Sequence, residues 1–89
     1  MHINKNTTVV DVRPPEDFEV HHFPGAINIP LYELAERMNE FKTFPKPIVA
    51  YCRSGNSSGV AVALLKQGGI TEVINGGGLD NMFKTVNHV

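Results

Sequence analysis

The stretch Ile48-Val49-Ala50-Tyr51-Cys52-Arg53-Ser54-Gly55-Asn56-Ser57-Ser58-Gly59 joins an uninterrupted apolar run to a polar, glycine-bearing loop and then to a helical pattern. Apolar residues without alternation, as at 48–51, indicate a central parallel strand covered on both faces. After the loop, Val60, Ala61, Val62, Ala63, Leu64 and Leu65 predict a nearly all-apolar helix over 58–67 that packs hard on the sheet. Gly68-Gly69 ends it through a left-handed cap. The carboxyl end of such a strand is where α/β folds gather their chemistry. Cys52, the only cysteine in 89 residues, stands there.

Working outward, residues 7–12 are rich in β-branched side chains and predict a strand that stops at Pro14-Pro15. Pro15 then suits a first helical position, with Glu16 and Asp17 complementing the helix dipole. Phe23-Pro24-Gly25 is turn chemistry, and residues 26–29 form a brief strand ended by Pro30. Leu31, Leu34, Ala35, Met38 and Phe41 recur at helical spacing, with Glu33, Glu36, Arg37 and Glu40 on a solvated face. Beyond Pro45-Lys46-Pro47 and the central strand, Glu72-Val73-Ile74 predicts the last strand, Asn75-Gly76-Gly77-Gly78 a flexible loop, and 79–86 a final helix. Strands alternating with helices imply an α/β fold, a doubly wound parallel sheet of about four to five strands with helices on both faces.

A chain of 89 residues reads as a single domain, residues 1–89, burying about 60 to 65 per cent of its unfolded surface. Its hydrophobic fraction of 42% is that of a chain that folds. A net charge of −1 gives no basic field for a polyanion, which argues against nucleic acid as a partner. No run approaches the ~20 apolar residues that span a bilayer, so a membrane is not expected either. One cysteine cannot form an internal disulfide, which fits a reducing compartment. The expectation is a cytoplasmic protein, or a periplasmic one if an export signal has been removed.

A helix beginning near Ser57-Ser58 would lower the pKa of Cys52 from about 8.5 toward the range ~3.5 to 7.5. Gly55 and Asn56 tolerate left-handed dihedrals, so residues 53–56 can curl into a nest of converging N–H groups that holds a thiolate, a persulfide or an oxyanion. The side chains of Asn56, Ser57 and Ser58 and the cation of Arg53 add donors without negative charge. The rival reading makes Cys52 a small buried hydrophobe, Gly55-Asn56 a turn and a serine the helix cap. Loop composition alone leaves both open.

Other residues read as structural. Asp11 and Arg13 flank Val12 at strand spacing and predict an ion pair or loop brace. His21-His22 lacks metal-ligand spacing, and His2 and His88 lie at opposite ends of the chain. Gly76-Gly77-Gly78 lacks the pattern of a phosphate loop and suits a tight approach to the Cys52 loop.

Asp11-Val12-Arg13, Phe18, His22-Phe23-Pro24-Gly25-Ala26-Ile27-Asn28-Ile29-Pro30, the run from Tyr51 to Ser58 and Asn75-Gly76-Gly77-Gly78-Leu79 together resemble the rhodanese homology domain in order and spacing. Length and ending are most similar to the small single-domain thiosulfate sulfurtransferases of the phage-shock type. The resemblance implies a sulfurtransferase in which Cys52 is the nucleophile and Arg53, Ser54, Gly55, Asn56, Ser57 and Ser58 bind substrate. It also implies a small sulfur donor such as thiosulfate, a persulfide intermediate, and cyanide, a thiol or a thioredoxin-like protein as acceptor. Neither a metal nor an organic cofactor is required.

Related phosphatases close a longer loop with an arginine six positions after the cysteine, where this chain has Ser58, and a neutral serine cannot grip phosphoryl oxygens. Many rhodaneses carry arginine where this chain has Ser57. Arg53 is therefore the only loop cation, and weaker binding of dianionic thiosulfate is expected. The short segment before Thr7 implies that the family's opening strand and helix are reduced or absent. The alternative to an enzyme is a non-catalytic rhodanese-like binding module, although inactive relatives usually lose the cysteine.

Overall fold

The computed structural model describes residues 3–85. Four strands, β1 (Thr8–Asp11), β2 (Ile27–Asn28), β3 (Ile48–Cys52) and β4 (Val73–Gly78), form a parallel sheet in the order β2-β1-β3-β4. Between and after them run α1 (Pro15–Val20), a 3-10 turn (Leu31–Glu33), α2 (Met38–Thr43), α3 (Asn56–Gln67) and α4 (Leu79–Thr85). The end of the last helix expected beyond Thr85, together with His2 and His88, lies outside the described residues.

Every residue of β3 is buried, as its unbroken apolar pattern requires of a strand covered on both faces. Ile48, Ala50 and Cys52 face one side, with Val10 and Val12, against Leu34, Phe41 of α2 and Ala61 and Leu65 of α3. Val49 and Tyr51 face the other, with Val9, against Phe23, Ala26 and Met82 of α4, where Phe18 of α1 also packs. Complete burial of residues such as Ile48 or Val49 stabilises the fold by about 1.5 to 3 kcal/mol each. The resulting layers fix the carboxyl ends of β1, β3 and β4 side by side. Among the described residues no helix is long and apolar enough to cross a membrane.

Three elements depart from expectation. The single helix from Leu31 to Phe41 is instead a 3-10 turn followed by tight turns and the short α2, and Ala35 is exposed. Its apolar positions are mostly three apart, a spacing that i→i+3 turns satisfy as well as an α-helix does. Leu34 and Arg37 close such turns on Leu31 and Leu34, and Arg37 then clamps Glu33 and Glu40. In α3, only Ser58, Ala61 and Leu65 are buried, whereas Val60 and Leu64 are exposed. A helix on one side of a single sheet has only one face to bury. Gly68-Gly69 does form the expected cap: Gly69 has φ +95°, and Ile70 N–H donates to Leu65 O at 2.9 Å.

The third departure is the glycine run. Asn75-Gly76-Gly77-Gly78 is no flexible loop but the last four of the six residues of β4, paired with β3 through a bulge that places Ala50 opposite Asn75 and Tyr51 opposite Gly77. A Cβ on Gly78 would overlap the carbonyl of Arg53, and one on Gly76 would meet Met82 and Val49. The close approach to the Cys52 loop expected from these glycines is present.

Candidate active site

The loop that follows β3 turns back over the strand's last residue, Cys52. Gly55, at φ +99°, is the residue before α3, and a Cβ there would come 3.3 Å from Gly77 Cα. This left-handed turn aims backbone N–H groups inward, which L side chains rarely permit. Cys52 Sγ accepts from the N–H of Gly55 at 3.0 Å and from the N–H of Ser58 at 3.3 Å. The Ser58 hydroxyl lies 3.4 Å from the sulfur. Because α3 is twelve residues long, its partial positive end acts at the same point.

Cys52 is 3% exposed, so the sulfur lies at the floor of this cradle. Burial pushes the thiol pKa up, but the Ser58 hydroxyl and the N–H groups of Ser58, Gly55 and Ser54 outweigh it and hold the thiol below its ordinary value. The arrangement therefore favours thiolate, the nucleophilic form, over what an ordinary thiol would show.

The residues expected to surround the thiol divide into two sets. Gly55 and Ser58 touch the sulfur. Ser58 is fully buried and faces the thiol rather than an open pocket. Arg53, Ser54, Asn56 and Ser57 have exposed side chains around the rim. The Arg53 guanidinium stands 4.0 Å from Asp17 of α1, so the one loop cation is shared with a carboxylate. Both are open to water, and such a pair contributes at most about 1 kcal/mol.

Two supporting residues escaped the sequence reading. Asn75 joins the two sides of the cradle: its Oδ1 accepts from Ser58 Oγ at 2.6 Å and from Gly77 N–H at 2.9 Å, and its Nδ2 donates to Gly55 O at 3.1 Å. Its place directly before a glycine run facing the loop was the available signal. Tyr51, next to Cys52, donates its hydroxyl to Asp11 Oδ2 at 2.8 Å and accepts from Phe23 N–H at 2.9 Å. Burial, and then the Asp11 carboxylate, push this phenol well above its usual range, so it stays protonated.

Asp11 and Arg13 form the expected ion pair, at 2.7 Å, and Arg13 also donates to His21 O at 2.6 Å. Asn28 Nδ2 donates to the carbonyls of Asp11 and Arg13, tying β2 to the same brace. The adjacent histidines diverge: His22 stacks on Phe18 and His21 on Phe83.

A sequence model of the rhodanese-like domain matches residues 1–82. This chain belongs to that family. Thiosulfate sulfurtransferase PspE of Escherichia coli is 42% identical over 74 residues, covering 82% of this chain and 71% of PspE. YqhL of Bacillus subtilis, an uncharacterized protein, is 42% identical over 71 residues, covering 80% of this chain. The rhodanese-like chain spans only 56% of the length of YqhL. A solved rhodanese from E. coli, 40% identical, superimposes with a TM-score of 0.75 over 84% of this chain and 89% of its own. The doubly wound rhodanese fold, with its parallel sheet of four strands among the described residues, is thus shared with relatives that include a sulfurtransferase.

Proposed function

We propose that this rhodanese-like chain is a sulfurtransferase that carries sulfane sulfur as a persulfide on Cys52, with thiosulfate or a related small donor as substrate. The observation that carries this reading is the sulfur itself: Cys52 Sγ faces two inward N–H groups and a hydroxyl at the start of a helix. In the first half-reaction the thiolate attacks the outer sulfur of thiosulfate. The sulfur–sulfur bond of the donor breaks, its electron pair leaves with sulfite, and a new bond joins Sγ to the transferred sulfur. The negative charge moves to that outer sulfur, which the loop amides can hold. In the second half-reaction cyanide or a thiolate attacks the outer sulfur and Cys52 thiolate is restored. No metal or organic cofactor enters either step.

Arg53 and the rim side chains of Ser54, Asn56 and Ser57 bind the donor, with Gly55 and Ser58 serving the sulfur. A sulfur deep in its loop suits a donor whose reactive atom projects singly, as the outer sulfur of thiosulfate does. The match to PspE, a thiosulfate sulfurtransferase, supports the same donor. With Asp17 drawing on Arg53, binding of the dianion is expected to be modest. A thioredoxin-like protein dithiol is an acceptor of fitting chemistry, because it can attack the persulfide and then release the sulfur.

Covalent transfer in two halves has a kinetic signature. Initial rates at varied thiosulfate and cyanide are expected to give parallel double-reciprocal lines, each product leaving before the next substrate binds. Intersecting lines would mean that both substrates must be bound together, and would overturn the persulfide route.

A further inference from the structure

The Ser58 hydroxyl has one proton and four acceptors within reach. Cys52 Sγ lies 3.4 Å away, Gly55 O 3.2 Å, Asn75 Oδ1 2.6 Å and Gly77 O 3.5 Å. The shortest contact goes to Asn75, at a distance typical of a strong O–H···O bond. The orientation of that amide is fixed from both ends. Gly77 N–H must meet an oxygen, and Gly55 C=O must meet the NH2 group, so a flipped Asn75 would set donor against donor and acceptor against acceptor.

We infer that Asn75 is a positioning residue for Cys52: its side-chain oxygen competes with Sγ for the single hydroxyl proton of Ser58, giving that hydroxyl two settings. When the sulfur is a thiol, the hydroxyl donates to Asn75 and its oxygen accepts from the S–H. When the sulfur is a thiolate, the hydroxyl turns and donates to it, and Asn75 Oδ1 keeps only Gly77 N–H. The backbone donors of Gly55 and Ser58 stay aimed at the sulfur throughout, so the hydroxyl is the one hydrogen-bonding group of the cradle that can follow the charge. The Asn75 side chain bonds Ser58, Gly55 and Gly77 rather than the sulfur, and acts on it through Ser58.

The inference rests on the reading of Cys52 as the reactive thiol. Its test needs no sulfur donor, so its failure is separate from a failure of sulfur transfer. The charged groups on the elements packed against the loop are Arg53 of the loop itself, Asp17 of α1 and Asp80 in the first turn of α4, and the substitutions leave all three in place. The rate of iodoacetamide alkylation of Cys52 is measured against pH, and it rises with pH through the thiol's midpoint as thiolate forms.

Asn75→Ala frees the hydroxyl for the sulfur and is expected to move the midpoint down, raising the rate about threefold at a pH one unit below the wild-type midpoint. Ser58→Ala removes the mobile donor and is expected to move the midpoint up. The double variant is expected to match Ser58→Ala alone. An Asn75→Ala midpoint that rises, or a shift that persists in the Ser58→Ala background, would mean that Asn75 only braces Gly55 and Gly77, and would overturn the inference. Should Asn75→Ala fail to fold, Asn75→Ser takes its place: the shorter side chain draws its oxygen back from the Ser58 hydroxyl, and the same fall in the midpoint is expected, absent in the Ser58→Ala background. A midpoint that does not fall, or that falls equally without the Ser58 hydroxyl, would overturn the inference.

Discussion

Replacing Cys52 by serine is expected to abolish sulfur transfer from thiosulfate, by about 10⁴-fold or more, while the urea midpoint of unfolding stays close to that of the wild type. The scale is that of removing a covalent nucleophile outright. Serine fits the same nearly closed site and can accept the same N–H groups of Gly55 and Ser58, so the cradle has no reason to open. Its hydroxyl stays protonated at neutral pH and forms no persulfide. Thiocyanate production checks the activity, and urea unfolding followed by circular dichroism checks the fold. Transfer surviving at more than about one per cent of wild type would remove Cys52 from the mechanism.

The second large effect concerns stability. Asp11→Ala is expected to cost about 3 to 5 kcal/mol, the range for breaking a buried ion pair and stranding its partner. Asp11 is fully buried, and its carboxylate accepts from the Arg13 backbone N–H, from Arg13 Nε and Nη2 and from the Tyr51 hydroxyl. Without it the Arg13 guanidinium, itself only 11% exposed, keeps His21 O, and the Tyr51 hydroxyl loses its acceptor. Domains of this kind unfold at about 5 to 15 kcal/mol, so about a fifth or more of the total is at stake. Linear extrapolation of urea unfolding measures it, with Asp11→Asn as the variant that keeps one acceptor oxygen. A loss under about 1 kcal/mol would show that the brace is no more than a surface pair.

Much of this arrangement was legible locally. The unbroken run at 48–51 reads as a strand covered on both sides, and it is one, carrying Cys52 to the end of the sheet. Asp11 and Arg13, two apart in a segment whose sequence predicts a strand, are expected to share a side, and they pair even though β1 ends at Asp11. What remained hidden depends on which strands lie together. Tyr51 meets Asp11 because β1 and β3 pair with those residues in register, and no spacing along the chain reports that. Likewise Asn75 joins the site only because β4 continues through glycines whose missing side chains admit the Arg53 carbonyl. A glycine run read by local propensity is a loop, and tertiary packing makes it a strand. The 3-10 turn at Leu31 was ambiguous for a different reason, since residues three apart suit two helical geometries.

The central claim, that Cys52 carries the transferred sulfur, is tested most directly by intact mass after brief treatment with thiosulfate followed by removal of the donor. The wild-type chain is expected to gain about 32 Da, one sulfur atom held as a persulfide. That gain should vanish on adding cyanide and be absent from Cys52→Ser. A wild-type mass that never changes, or a gain that persists in Cys52→Ser, would contradict the account.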